Sequence, residues 1–145
     1  PASFDGLRVA FLADLHHGPY VDLDHVAAVV RTTLALRPDV VVLGGDYAAA
    51  DARYVGPCFE VLSCLRAPLG VYGVLGNHDY LHGVSESHAG FRSSRVMELT
   101  NAGVWLERGS QRLRLSGVDD LWYGETRLGS ALGDARPDDA CVLVS

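Results

Sequence analysis

The sequence predicts an α/β fold, a parallel βαβ core followed by a β-hairpin, and three observations carry that reading. Three short apolar runs each end in glycine or polar residues. Segments with helical spacing separate them. Further along the chain the apolar period shortens to alternation around a glycine turn. With 145 residues, 48% of them hydrophobic and 21% charged, the chain suits one globular domain with a real core.

Leu7 to Ala13 is an apolar run closed by a polar turn, which predicts a strand buried on both faces. From Asp22 to Arg37, Leu23, Val26, Val30 and Leu34 recur at helical spacing, with Asp22 as the cap and Pro38 as the stop. Asp39 to Leu43 is a second buried strand running into Gly44-Gly45, and strand, helix, strand implies a right-handed parallel crossover. Pro57 can open a second helix with Cys58, Val61, Leu62 and Leu65 on one face and Pro68 beyond its end. Val71 to Leu75 is the third strand. Tyr80 to Gly90, polar and turn-rich, reads as a surface loop, and Phe91 to Asn101 as a helix ended near Gly103. Val104 to Leu106 then pairs with Gln111 to Ser116 across Arg108-Gly109-Ser110, with Leu113 and Leu115 inward and Arg112 and Arg114 in solvent. Leu128 to Gly133 is a short helix, and Ala140 to Val144 is one more buried strand.

All 12 basic residues are arginine, set against 18 acids for a formal charge of -6. No basic stripe is present of the kind that tracks a nucleic-acid backbone. Cys58, Cys64 and Cys141 are odd in number and lack CxxC spacing, so a disulfide framework and a zinc ribbon are both disfavoured and buried or half-buried thiols are expected. No run approaches the roughly 20 apolar residues of a membrane span, and no signal-peptide pattern appears. The first residue is Pro1, so an upstream anchor or signal stays open, and the expected location is cytoplasmic or peripheral at a bacterial membrane.

Three words stand at the ends of the apolar runs: Asp14-Leu15-His16, Gly44-Gly45-Asp46 and Gly76-Asn77-His78-Asp79. In open α/β sheets the carboxyl ends of the strands are where ligands bind. Asp14 and His16, two apart, can face one ion if strand geometry persists into the loop. A carboxylate beside an imidazole suits Mn, Fe or Zn better than Mg or Ca. Asp46, freed by two glycines to approach closely, can bridge two ions, and Asn77 offers an amide oxygen to the second. Two such ions, about 3.5–4 Å apart, would share a hydroxide and hold phosphoryl oxygens for in-line attack. His78 would protonate the leaving oxygen or steady the phosphate. Asp79 would orient His78 or fix the loop. Singly each word is a common strand end or turn; in order, each after an apolar strand, they are not a chance set.

These residues resemble the calcineurin-like metallophosphoesterase superfamily, whose pattern is D-x-H, G-D, G-N-H-[DE], a later H and a final G-H-x-H. The flanks Gly6 to Val9, Gly70 to Tyr80 and Gly117 to Trp122 resemble a bacterial branch that includes membrane-associated phosphodiesterases and UDP-diacylglucosamine hydrolases. The resemblance implies a metallophosphoesterase-type α/β/β/α sandwich. It also implies a phosphoester hydrolase, a phosphodiesterase before a monoesterase, using a hydroxide that bridges two divalent ions. Asp14 and His16 would bind the first ion, Asp46 would bridge, Asn77 would bind the second, and His78 would be catalytic. The substrate would be a phosphoester, with a lipid-linked or nucleotide-linked diester in view.

The later histidines of the pattern are absent from residues 1–145, so the expectation is one incomplete domain without its C-terminal histidine segment, in which the second ion keeps only Asp46 and Asn77. Another segment or a partner chain, as in a dimer, could supply the rest. The rival reading is a catalytically inactive domain of this fold used for protein contacts.

The remaining candidates have plainer readings. His17 is a loop or rim residue and His25 a solvated helix residue, and replacement of missing ligands by His82 or His88 is the minor alternative. Asp119 and Asp120 sit in a Gly-bounded turn where Asp is common for backbone reasons. Trp105, Trp122 and Tyr123 are expected to pack in the core or hairpin, with lipid or substrate contact as the lesser reading.

Overall fold

In the computed structural model, which describes residues 1–145, the three apolar runs and a fourth short one form a parallel sheet. Its strands are β1 (Val9–Leu12), β2 (Val40–Leu43), β3 (Val71–Gly73) and β4 (Met97–Glu98), in that order. Strand β2 carries four consecutive buried residues because both its faces are covered. Val41 and Leu43 join a core beneath the helices α1 (Leu23–Ala35), α2 (Val55–Leu62) and α4 (Val84–Ser93). Val40 and Val42 face a second core shared with another sheet. The period of two thus sorts one strand into two interiors.

The second sheet contains β5 (Ala102–Arg108), β6 (Gln111–Gly117) and β7 (Cys141–Val144), with β5 and β6 antiparallel and β7 parallel to β6. Leu106, Leu115 and Val144 pack from this sheet onto Val40, Val42, Tyr72 and Val74. The short helix α5 (Leu128–Leu132) covers its far face, where the Ser116 hydroxyl donates to the Ala131 carbonyl at 2.8 Å. Helices, sheet, sheet and helix follow in layers, the α/β/β/α arrangement. Asp22 caps α1, its carboxylate accepting from the His25 amide at 2.8 Å. His25 is exposed on that helix.

Several expectations need correction. Strand β1 is covered on one face only: Ala10 and Leu12 meet the helical core, while Val9 and Phe11 are 54% and 56% exposed because the second sheet does not reach them. Strand β7 buries Val144 alone, and an apolar groove of 340 Å³ runs between Val9, Phe11, Val142 and Leu143. The stretch 80–90, expected as a loop, is helical, divided between α3 (Asn77–His82) and α4. Its buried face is made of Ser87, Gly90 and Phe91, so the apolar signal is faint. Gly90 lies flush against Phe59, where a Cβ would come within 2.4 Å of the ring. The helix expected over Phe91 to Asn101 is instead the end of α4, strand β4 and a turn in which Asn101 has φ +55°.

Arg114 is buried rather than solvated, since α5 closes over it. Its guanidinium donates to the Ala131 carbonyl at 3.1 Å and lies 3.5 Å from Asp134. Arg112 does lie outside, over the Trp105 ring at 3.7 Å, which bears out the hairpin-packing role of that tryptophan. No helix is long and apolar enough to cross a membrane.

Of the thiols, Cys58 is buried as expected, whereas Cys64 and Cys141 are exposed. Burial pushes the Cys58 thiol up to about 12. Because the thiolate is the reactive form, titration with a disulfide reagent in native buffer should register two thiols, with the third appearing only on unfolding. A third equivalent from the native protein would contradict this packing.

Candidate metal centre

Leu12 and Leu43 are register partners at the ends of β1 and β2, so the loops that follow leave the sheet side by side. They stay paired: the amides of Asp14, His16 and His17 donate to the carbonyls of Gly45, Asp46 and Tyr47 at 3.3, 2.9 and 3.0 Å. Strand geometry does not persist here. Asp14, His16 and Asp46 all adopt left-handed backbone, with φ of +58°, +48° and +58°. Each such residue costs roughly 1–2 kcal/mol, and strain of this kind concentrates at functional sites. Between the first two, Leu15 is buried in the helical core, so Asp14 and His16 turn toward the same opening while Leu15 anchors the loop.

His16 Nε2 lies 3.5 Å from an Asp14 carboxylate oxygen and 3.7 Å from one of Asp46. The rings of His16 and His78 meet edge-on with centroids 4.5 Å apart. His16, Asp46 and His78 each present one ligand atom within 4.8 Å of the others. His78 Nδ1 is buried without a hydrogen-bond partner. Buried polar atoms are ordinarily satisfied, so this nitrogen is left for a ligand or substrate, while the imidazole of His16 with the carboxylates of Asp14 and Asp46 is a donor set of Mn, Fe or Zn and fits a metal centre. Asn77 lines the same cleft as Asp14 and Asp46, an opening of 430 Å³.

The third loop is pressed against the second backbone to backbone. Gly45 has φ +92°, and a Cβ there would lie 2.3 Å from the Gly76 nitrogen; a Cβ on Gly76 would lie 2.3 Å from an Asp46 carboxylate oxygen. Asp46 Oδ1 accepts the His78 amide at 2.9 Å.

Of the two roles expected for Asp79, fixing the loop is the one its contacts fit. Its carboxylate accepts the amides of Asp46, Tyr47 and Gly76 at 2.8, 3.1 and 2.9 Å and the Ser87 hydroxyl at 3.4 Å. Burial raises its pKa from the ordinary aspartate value, and the three amides oppose that rise.

The other histidines separate. His82 stands 5.3 Å from the His78 ring, while His88 Nδ1 is engaged with Glu98 at 3.0 Å. His17 is buried rather than at a rim; its Nδ1 sits 2.8 Å from the Val21 carbonyl and its ring packs edge-on against Tyr54. Asp119 and Asp120 organise a turn, as expected. Asp120 Oδ1 accepts the amides of Trp122 and Tyr123, and Asp119 accepts those of Asp120 and Glu125. Sequence reasoning missed the Tyr80 hydroxyl, which donates to Asp119 at 2.7 Å and ties this turn to the helix bearing His78. It also placed Trp122 and Tyr123 in packing roles, yet they are 83% and 53% exposed. Only the spacing after Gly117 hinted at a loop there.

A family model described as calcineurin-like phosphoesterase matches residues 7–139. The chain belongs to that family and carries the architecture of its phosphoester hydrolases. It is 33% identical to "Putative metallophosphoesterase F40B5.2" of Caenorhabditis elegans over 96% of this chain and 30% of that protein. Against "Phosphodiesterase YaeI" of Escherichia coli it is 29% identical over 83% of this chain and 46% of that protein. Against "UDP-2,3-diacylglucosamine pyrophosphatase LpxG" of Chlamydia muridarum it is 34% identical over 58% and 26%. A Thermus thermophilus crystal structure, TT1561, shares the fold with a TM-score of 0.57 at 16% identity, over 79% of this chain and 49% of that one. The chain therefore spans less than half the length of these relatives. The similarity is not confined to bacteria, as the nematode relative makes plain.

Replacing Asp79 with Asn should test the loop brace. The amide keeps the size but turns one acceptor into a donor facing backbone N–H groups. A loss of about 2 kcal/mol is expected in urea unfolding, with weaker Mn²⁺ uptake. Unchanged stability would show that the three amide bonds are dispensable.

Proposed function

We propose that this protein hydrolyses phosphodiesters at a pair of divalent ions held by Asp14, His16, Asp46 and Asn77, with His78 as the catalytic group. The observation that carries the reading is the convergence of Asp14, His16, Asp46 and His78 at the ends of parallel strands. In this reading Asp14, His16 and Asp46 hold one ion, and Asp46 and Asn77 the other. The two oxygens of Asp46 suit a shared ligand, one facing His16 and the other turned to the loop of His78. When bound, the ions supply a nucleophilic hydroxide at neutral pH and an electrophilic clamp on the phosphoryl oxygens. Mn, Fe and Zn match these ligands better than Mg.

His78, held by its amide on Asp46 and lying beside His16, would donate a proton to the leaving oxygen or stabilise the phosphate. Asp79 supports the same loop through Asp46, Tyr47 and Gly76. Residues 1–145 form one domain in this reading. Further ligands would come from another segment or a second copy, for which the apolar groove beside Leu143 offers a seat next to the cleft. A diester is preferred to a monoester in this reading because a relative the chain resembles is named a phosphodiesterase.

Hydrolysis of bis(p-nitrophenyl) phosphate with Mn²⁺ tests the proposal, with p-nitrophenyl phosphate for comparison. The diester should turn over faster, and chelation should stop the reaction. Asp46→Ala and His78→Ala should each lower kcat by about 10²-fold or more. Retention of most activity in either variant would overturn the assignment. Mn²⁺ uptake without turnover would favour instead an inactive protein-binding domain or a part of the site that needs its further ligands from another segment.

A further inference from the structure

Beyond the candidate ligands, the cleft has a second kind of wall. Leu75, Val118, Leu121, Trp122 and Leu143 line it together with the candidate ligands Asp14, Asp46 and Asn77, and no cationic side chain joins them. Leu121 and Trp122 are 74% and 83% exposed, an unusual placement for large apolar groups. They are not the tip of a loose loop. Asp120 Oδ1 accepts the amides of both Trp122 and Tyr123, at 2.9 and 2.8 Å, and Asp119 accepts that of Glu125 at 3.1 Å. A Cβ on Gly124 would lie 2.3 Å from the Asp119 carboxyl carbon, so the turn is drawn tight around that carboxylate. The Tyr80 hydroxyl then fixes Asp119 to the helix that presents Asn77 and His78. The exposed pair is therefore held in place relative to the metal ligands.

We infer that Leu121 and Trp122 form a specificity-determining shelf that receives an uncharged, apolar arm of a phosphodiester whose phosphate sits between Asp14, Asp46 and Asn77. This deepens the proposed function and rests on it. A phosphate placed at those ligands leaves its second ester arm to lie along the remaining cleft wall, where Leu121, Trp122 and Leu143 supply the apolar surface beside the carboxylates of Asp119 and Asp120. Asp120 stands in the same wall, so an arm bearing further negative charge would meet a carboxylate with no arginine or lysine to offset it. The shelf thus selects an alkyl or acyl arm over a polyanionic one.

Calorimetric titration of the Mn²⁺-loaded protein with dibutyl phosphate and dimethyl phosphate isolates the shelf, because the two ligands share a headgroup and differ in apolar length. Dibutyl phosphate should bind about tenfold more tightly, and it alone should shift tryptophan emission to the blue. In Trp122→Ser and Leu121→Ser the preference should fall to about threefold or less. Leu36→Ser, an exposed apolar residue at the end of α1, should leave it unchanged. No preference in the parent protein, or one that survives both substitutions, would overturn the shelf while Mn²⁺ and dimethyl phosphate binding left the metal centre standing. Failure to take up Mn²⁺ at all would overturn both.

Discussion

The carboxylate of Asp79 accepts amides from Asp46, Tyr47 and Gly76, and the rest of the site depends on that clasp. Backbone amides at strand ends have no ladder partner, and left buried they would cost about 1–3 kcal/mol each. One buried carboxylate satisfies three of them and ties the loop after β2 to the turn after β3. The close approach needs glycine at positions 45 and 76, since a Cβ at either would strike the other loop. The same junction brings the Asp46 carboxylate to the His78 amide. Geometry around the candidate ligands is thus set by the Asp79 carboxylate and by the close backbone approach at Gly45 and Gly76.

The two interiors have different jobs. Beneath the helices, Tyr47, Phe59 and Phe91 pack ring to ring, and the Tyr47 hydroxyl donates to the Val74 carbonyl at 2.8 Å. Tyr47 directly follows Asp46, so this core locks the loop that carries the central carboxylate. Between the sheets, Leu106, Leu115 and Val144 seat the hairpin on β2 and β3, and so position the turn of Asp119 and Asp120 at the cleft. Tyr80 joins the two systems through its hydroxyl to Asp119. Burial and this partner hold the phenol well above its ordinary pKa, so it stays a donor across the working range.

Some faces are left uncovered by this arrangement. Strands β1 and β7 are edge strands, each exposing apolar residues into a common groove. Open edges of this kind can pair with further chain. Leu143 and Ser145 border both that groove and the cleft. Whatever occupies one is therefore a neighbour of the other.

By itself the sequence determined the parallel core and the family and picked out the candidate ligands. The apolar run Val40 to Leu43 is buried on both faces, and the words after the three apolar runs place acid and imidazole groups at strand ends. The period of helix α1 and the Asp22 cap were equally legible, because local spacing and one side-chain bond define them. Tertiary structure alone decided the rest. Helix α4 hides part of its packing face in Ser87, whose hydroxyl donates to Asp79, and in Gly90, which fits against Phe59 only because it has no side chain. Arg114 is buried because α5, distant in sequence, closes over it. Asp14 and His16 converge through left-handed backbone imposed by pairing with residues 45–47, not through strand alternation. The turn of Asp120 was legible, but the exposure of Trp122 at the cleft follows from where the second sheet seats that turn, a placement that no local pattern encodes.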